Sequence, residues 1–433
     1  MTTSSQVRQD GPVSDGPVSD GPVSDGPVSG PEPWVPDQPP LPVTPPGTRY
    51  LVTITGRDRP GVSAELLAAL DGPGVALLDV EQVVIDGRLI LSLLVASPRP
   101  LTAPTLTGLE IEVRVTGGDG DPLPGDPDAP WAPDRHHVVL LGSPITPAAL
   151  QAVADTVAGC GANIEQISRL AAWPVGAYEL LVTGGETHAL RRALTDIAGV
   201  DIAVSPASLL RRAKRLLVLD VDSTLIQGEV IEMLAEYAGA REEVAAATSA
   251  AMTQDVDFET SLRARTALLA GVPASALAAV RAALQLTPGA RTLVRTVQRL
   301  GYTVGVVSGG FSQVVEPLAA ELGLDFAAAN ELEIVDGKLT GRIVGAVIGR
   351  AGKAAAMERF AAEAGIPLDQ TVAVGDGSND VEMLSRAGLG IAFNASPLVR
   401  AAADAALNVP YLDVVLFLLG IPREEIARAD AGD

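Results

Sequence analysis

One cysteine, Cys160, is all the chain contains, so no internal disulfide can form. With three histidines besides, no Cys/His set offers zinc ligands at the usual spacings. Cys160 itself reads as a small buried thiol rather than a nucleophile. Aromatic residues are scarce, 3% against 47% apolar overall, so the cores must be built from Ala, Val and Leu, and disorder of the whole chain is excluded. Positive charge is in short supply: 31 Lys and Arg face 53 Asp and Glu, a net −22. That balance argues against a nonspecific grip on nucleic acid or anionic lipid, and an anionic substrate would need cations gathered locally. Long hydrophobic runs are missing too. The most apolar late stretch, Val414 to Ile421, is too short to cross a bilayer, and the first residues lack an apolar signal core, so the cytoplasm is the expected address and no membrane partner is expected.

What is present is length and clear punctuation. At roughly 150 residues per domain, 433 residues imply about three domains. Residues Asp10 to Ser29 are four copies of Asp-Gly-Pro-Val-Ser, and 12 of the 33 prolines precede Thr48. Proline removes amide donors and glycine resists ordering, so residues 1–48 are expected to form a loose tail. A second Gly/Pro/Asp-rich stretch, 118–134, reads as a linker. Between them, 49–117 forms one unit, 135–206 a second and 207–433 a third. The basic run Arg211 to Arg215 marks the last boundary and reads as a solvated helix end.

The first unit begins with apolar alternation in Tyr50 to Thr55, a tight turn at Gly56 to Gly61 and a helical spacing through Leu66, Leu67 and Leu70. A hairpin follows, Val75 to Ile85 against Arg88 to Ala96, across Asp86-Gly87, a dipeptide suited to a type I′ turn. A last strand lies near Ile111 to Val115. The second unit has strand His136 to Leu141, helix Pro147 to Ala158, strands Asn163 to Leu170 and Ala177 to Thr183, helix Glu186 to Ala198 and strand Val200 to Val204. Both read as a diverged βαββαβ repeat. With Gly-x-Asp-x-Pro-Gly at Gly56 to Gly61, this order resembles the ACT domains, which bind amino acids and regulate metabolic enzymes. The resemblance implies α+β ferredoxin-like units, an amino-acid effector at the first unit and a homodimer. Two departures stand out: Leu101 to Gly108 occupies the place of a second helix in the first unit, and the second unit lacks the Gly-rich first turn.

The third unit carries the chemistry. Leu216 to Leu219 is the apolar run of a buried parallel strand ending in the acid pair Asp220 and Asp222, and reactive groups in open α/β sheets gather beyond strand carboxyl ends. Tyr302 to Val307 is a second such strand, ending in Ser308-Gly309-Gly310, a hydroxyl and flexible amides that suit phosphate oxygens. Lys353 follows a Gly-rich stretch and opens an Ala-rich helix, where an ammonium can pair with phosphate. Thr371 to Gly375 delivers Asp376 and Asp380 to a strand-to-helix turn, where carboxylates can hold a hard cation. A hairpin is expected around Asp336-Gly337. From Gln227 to Leu300 helix formers dominate, as in a helical cap over a site.

Asp220-Val-Asp-Ser-Thr224, Ser308-Gly-Gly310, Lys353 and Gly375-Asp-Gly-Ser-Asn-Asp380 resemble the four signatures of the haloacid dehalogenase-like phosphatases. The resemblance implies an α/β fold, a Rossmann-like parallel sheet with a cap at about 227–300, and Mg²⁺-dependent hydrolysis through a phosphoaspartate. It implies Asp220 as nucleophile, Asp222 as acid and then base, and Mg²⁺ on Asp220, the main-chain carbonyl of Asp222 and Asp376. Ser308, the Gly309 amide, Lys353 and Asn379 are then expected to hold phosphate, with Asp380 orienting Lys353 or a metal-bound water, or else capping a helix. Glu229, Met252 and Phe258 to Arg265 are similar to the phosphoserine phosphatase branch. That implies O-phospho-L-serine as the small-molecule substrate, its ammonium meeting Glu229 and its carboxylate Arg265, with Arg263 the rival guanidinium. Met252 and Phe258 read equally as pocket walls and as core. Another small phosphate such as homoserine phosphate, a phosphotransfer, or an inert phosphatase half attached to an amino-acid sensor remain the alternatives.

Overall fold

The computed structural model describes residues 47–117, 135–195, 197–253 and 258–431, without the side chains of 249–253. The expected tail repeats and the linker at 118–134 lie outside the described residues. Two compact bodies divide within the linker.

In the first body, β1 (Thr48–Arg57) is followed by the helix Val62–Leu70, β2 (Ala76–Ile85), β3 (Arg88–Ser97) and β4 (Leu109–Gly117). The strands form an antiparallel sheet in the order β2-β3-β1-β4. Period-two alternation places Val52 and Ile54 of β1 and Leu89, Leu91 and Leu93 of β3 on one face, where Leu66 and Leu70 of the helix close the core. Asp86 and Gly87 both have positive φ, 49° and 70°, as a type I′ hairpin requires. Leu101 to Gly108 carries no helix, so this unit covers its sheet with one helix among the described residues.

The second body starts with the other repeat: β5 (Arg135–Gly142), helix Pro147–Gly159, β6 (Ala162–Ala171), β7 (Gly176–Gly184), helix Thr187–Leu194 and β8 (Asp201–Pro206). The helix starting at Thr187 is capped by Glu186, whose carboxylate accepts the amides of His188 and Ala189. Then come β9 (Leu216–Leu219), five helices among the described residues between 230 and 299, β10 (Thr303–Phe311), β11 (Phe326–Val335) and β12 (Lys338–Val344). After the helix Arg350–Glu363 follow β13 (Thr371–Gly375), β14 (Gly390–Phe393) and β15 (Ala405–Leu407). Strands β11-β10-β9-β13-β14-β15 are parallel, with β12 turned back antiparallel on β11 through Asp336-Gly337. The central strands are apolar along their whole length because helices cover both faces.

The second repeat joins this sheet directly. Its β8 meets β15 at Ala203 opposite Ala405, extending one sheet to eleven strands. Arg191 pairs with Asp404 at 2.8 Å, and Asn408 is hydrogen-bonded to Asp201 at 2.7 Å across the same seam. This overturns the solvated reading for Arg211 and Lys214, while Arg212 and Arg215 are exposed. Lys214 is 5% exposed, and Arg211 is held by Glu179 and by the Leu418 carbonyl oxygen, because these two side chains lie where the two parts share a core.

Candidate active site

Three buried strands, β9, β10 and β13, deliver the polar residues to one end of the parallel sheet. Immediately after β9, Asp220 is fixed by its amide donating to the Val374 carbonyl of β13 at 2.9 Å. Its Oδ1 accepts the Val221 amide and the Lys353 ammonium, each at 2.7 Å, and Oδ2 has no hydrogen bond among the described residues. The loop then turns sharply: Ser223 takes φ 57°, an uncommon left-handed value for a residue with a side chain. The Ser223 hydroxyl donates to Glu229 Oε1 at 2.8 Å, and the Thr224 hydroxyl to Asp376 Oδ1 at 2.8 Å. Thr224 is itself held through its carbonyl by the Thr287 hydroxyl at 2.6 Å.

Beyond β13, Asp376 and Asp380 come beside Asp220, one carboxylate oxygen of each lying within 4.8 Å of the others. Asp380 Oδ1 meets Lys353 at 2.7 Å and its Oδ2 accepts the Gly377 amide at 3.0 Å. Of its expected roles, the lysine contact is formed, and its side chain does not cap the helix Val381–Arg386 that follows. Gly375 makes room for this: a Cβ there would lie 2.4 Å from the Asp380 carboxyl carbon. The Asp222 carboxylate points elsewhere, accepting the Val230 amide at 2.7 Å and the Ser308 hydroxyl at 3.1 Å.

Ser308 is fully buried at the end of β10. Its hydroxyl accepts the Gly310 amide at 2.8 Å, so it stands behind the wall that Gly309 and Gly310 present. Asn330 on β11 fixes that turn, donating to the Gly309 carbonyl at 2.9 Å while accepting the Ile348 amide at 2.7 Å. Asn379 also faces Gly309, where a Cβ would come 3.4 Å from its Nδ2 and 3.0 Å from the ring of Phe258.

Helices between β9 and β10 cover this end. Glu229 precedes the helix Val230–Ala238, Thr248 sits on Arg241–Thr253, and Phe258, Leu262 and Arg265 on Phe258–Ala267. The last of the five, Ala290–Arg299, leads back into β10. Arg265 is 5% exposed and donates from Nη1 to Thr248 Oγ1 at 2.9 Å. Arg263, two positions earlier, points outward into an exposed pair with Glu259. The two arginines are thereby distinguished: Arg265 lines the cavity. Phe258 forms part of the wall and also packs on the main core. The side chain of Met252 lies outside the described residues. Asp220, Asp222, Glu229, Arg265, Gly309, Lys353, Asp376 and Asn379 thus border one cavity of about 60 Å³, room for roughly two waters.

Burial governs the electrostatics here. It pushes Asp220 well above the usual carboxylate range, and the neighbouring Asp380 adds to that while Lys353 opposes it. Asp376 is raised to about 7 by burial and by Asp380, and Asp222 is raised chiefly by burial. Glu229 is pushed up to about 8 by burial and then by Asp222. Lys353 keeps its proton because Asp220 and Asp380 outweigh the cost of its burial. The site therefore gathers more acid than its one ammonium balances.

A family model for haloacid dehalogenase-like hydrolases matches residues 217–385, and two ACT domain models match 48–117 and 134–205. The phosphoserine phosphatase of Streptomyces coelicolor is 54% identical over 391 residues, covering 88% of this chain and 94% of its own length. The chain belongs to the phosphoserine phosphatases. Phosphoserine phosphatase SerB2 of Mycobacterium tuberculosis is 52% identical over 397 residues, 88% of this chain and 96% of that relative. The crystal structure of a probable phosphoserine phosphatase from Vibrio cholerae, in unliganded form, superposes with a TM-score of 0.52 at 33% identity, over 68% of this chain and 88% of that one.

Several residues of this phosphoserine phosphatase site were not singled out from the sequence. Thr224 was visible within the Asp-x-Asp-Ser-Thr motif, but its grip on Asp376 depends on a partner 152 residues away. Thr248, Asn330 and Thr287 carry no local signal at all, since each acts through a contact between elements distant in sequence.

Proposed function

We propose that the chain hydrolyses O-phospho-L-serine to L-serine and phosphate, the closing step of serine synthesis, through a phosphoaspartate on Asp220. The observation that carries this reading is the convergence of Asp220, Lys353 and Asp376 at the strand ends with Glu229 and Arg265 from the cap around one cavity. Asp220 Oδ2 bonds to phosphorus as the bond to the seryl oxygen breaks, and Asp222, whose burial favours its protonated form, gives that oxygen its proton. The resulting acyl phosphate is a mixed anhydride, far more labile than a serine ester. Water then bonds to phosphorus, its proton passes to Asp222, and the bond to Asp220 breaks to release phosphate. Lys353, the Gly309 amide and Asn379 are assigned to the phosphate oxygens, and Ser308, behind that wall, to holding Asp222 and the Gly310 amide. Glu229 takes the substrate ammonium, Arg265 its carboxylate through a two-donor fork, and Met252 and Phe258 wall the pocket.

A hard divalent cation suits the carboxylate oxygens of the acid cluster, and the excess of buried acid favours one. We assign it as Mg²⁺, held by Asp220, the Asp222 carbonyl and Asp376, with Asp380 left to orient Lys353. When bound, the ion supplies positive charge that offsets the repulsion between carboxylate and phosphate. Phosphate release from phosphoserine, with and without Mg²⁺, tests the reading. Metal-independent or absent release sinks the mechanism, and equal turnover of homoserine phosphate would overturn the substrate.

The first repeat is assigned an amino-acid effector near the Gly56 to Gly61 turn, and the chain a homodimer. β2 is an edge strand on which Leu77, Val80, Val83 and Val84 are about half exposed, a surface that a second copy could cover. Light scattering of the full chain and calorimetry with L-serine test these two assignments; a monomer that binds no serine removes both.

A further inference from the structure

Lysine is rare in this chain: Lys214, Lys338 and Lys353 are three among 31 Lys and Arg. Lys353 and Lys214 are buried, 0% and 5% exposed. Lys353 is matched by two carboxylates. Lys214 is not. Among the described residues its ammonium donates to the main-chain carbonyl of Asp369 at 2.5 Å and forms no ion pair. A neutral acceptor compensates a desolvated ammonium poorly, and burial accordingly pulls the Lys214 pKa below that of an ordinary lysine, against the weaker pull of Asp369 and Asp404.

Beside Lys214 lies a cavity of about 160 Å³, room for roughly five waters. It sits at the seam where the second repeat joins the parallel sheet. Val139 and Ala203 of the repeat face Leu389 and Leu418 of the third unit, so the walls are largely apolar. The other charges around it are committed or open to water: Arg211 is held by Glu179, Asp404 by Arg191 and the Gly390 amide, and Asp369 is exposed. The cavity therefore offers one uncompensated cation at the end of an aliphatic chamber. It is also separate from the candidate active site. Lys214, Asp369, Leu389 and Asp404 precede β9, β13, β14 and β15, whereas Asp220 and Asp376 follow the opposite ends of β9 and β13.

We propose that this seam cavity binds a small monocarboxylate with a branched aliphatic body, its carboxylate on Lys214 Nζ and its body against Val139, Ala203, Leu389 and Leu418. The arriving carboxylate supplies the counter-charge that Asp369 O cannot, while the body displaces water from apolar walls. An aliphatic amino acid and an aliphatic acid without the amine share this chemistry, and L-valine and isovalerate represent the two sources.

The test uses the full chain with carbon-13 at lysine Cε, which gives three signals. Those of Lys214 and Lys338 are assigned by their loss in Lys214→Arg and Lys338→Arg. Millimolar isovalerate or L-valine should move the Lys214 signal saturably and leave that of Lys338 in place. Whichever of the two binds more tightly identifies the source. By calorimetry, Lys214→Met should weaken the same binding at least about tenfold. Isoamyl alcohol, which has the body without the carboxylate, should leave the Lys214 signal where it is. If neither carboxylate moves that signal, or the alcohol moves it equally, the proposal fails; these readings on the unaltered protein stand even if Lys214→Met does not fold.

Discussion

The two ends of the parallel sheet bury the same side chain under opposite conditions. At the carboxyl end, Lys353 lies between Asp220 and Asp380 and its pKa rises; at the amino end, Lys214 meets a carbonyl and its pKa falls. Burial opposes the charge at both sites, and only at Lys353 do neighbouring carboxylates outweigh it. The difference follows from what each end must accommodate. Loops leaving the carboxyl ends are free to carry acids towards a ligand, whereas at the amino ends the second repeat contributes the apolar Val139 and Ala203.

The largest expected effect is at Asp220. Asp220→Asn removes the attacking oxygen and should lower phosphate release by roughly 10⁴-fold or more, with the circular dichroism spectrum unchanged. Substantial turnover in that variant would end the assignment of chemistry to the carboxyl end. The lysine comparison is sharpened by making one change at both sites. Lys353→Met leaves the clustered acids without their cation and should cost about 10²- to 10³-fold in turnover, as for removal of one electrostatic donor. Lys214→Met instead exchanges a poorly matched charge for an apolar chain of similar length. It should stabilise the protein by about 1 kcal/mol, read as an unfolding midpoint raised by roughly 2–4 °C. Equal responses in the two variants would mean that the neighbours do not distinguish the sites.

Next in size is the guanidinium pair on one helix. Arg265→Ala should lower kcat/KM for phosphoserine by about 10²-fold, the loss of a two-point charged contact, and have much less effect on phosphoethanolamine, which lacks the carboxylate. Arg263→Ala removes an exposed pair with Glu259 and should change either substrate little. A uniform loss on both substrates in Arg265→Ala would show that the side chain acts by packing.

Much of this was legible because the informative residues sit next to each other in sequence. The run Leu216 to Leu219 with Asp220 and Asp222 states both a buried strand and what it delivers, and Asp86-Gly87 states a hairpin. The seam was not legible. Arg211 to Arg215 reads as solvated because nothing local announces that β8 pairs with β15, or that Glu179 and Leu418 wait for Arg211. The choice between Arg263 and Arg265 needed the helix phase relative to Thr248, and the supports Thr287 and Asn330 needed partners 63 and 21 residues away.

The last expected effect is a slope of stability against pH. Glu229 is raised from 4.5 to about 8, so the folded protein retains a proton there that the unfolded chain has released. Stability must then fall as pH rises from about 4.5 to 8, because the native state is the one binding the extra proton. Asp376, raised to about 7, adds to the same fall over the lower part of that range. Glu229→Gln removes the first contribution and leaves the second, so the difference between the two unfolding curves, measured in metal-free protein, isolates Glu229. That difference should keep growing between about 7 and 8, where Asp376 is already past its midpoint. Parallel curves would mean that Glu229 is already ionised in the folded state, and that a cation meeting it gains a preformed partner rather than displacing a proton.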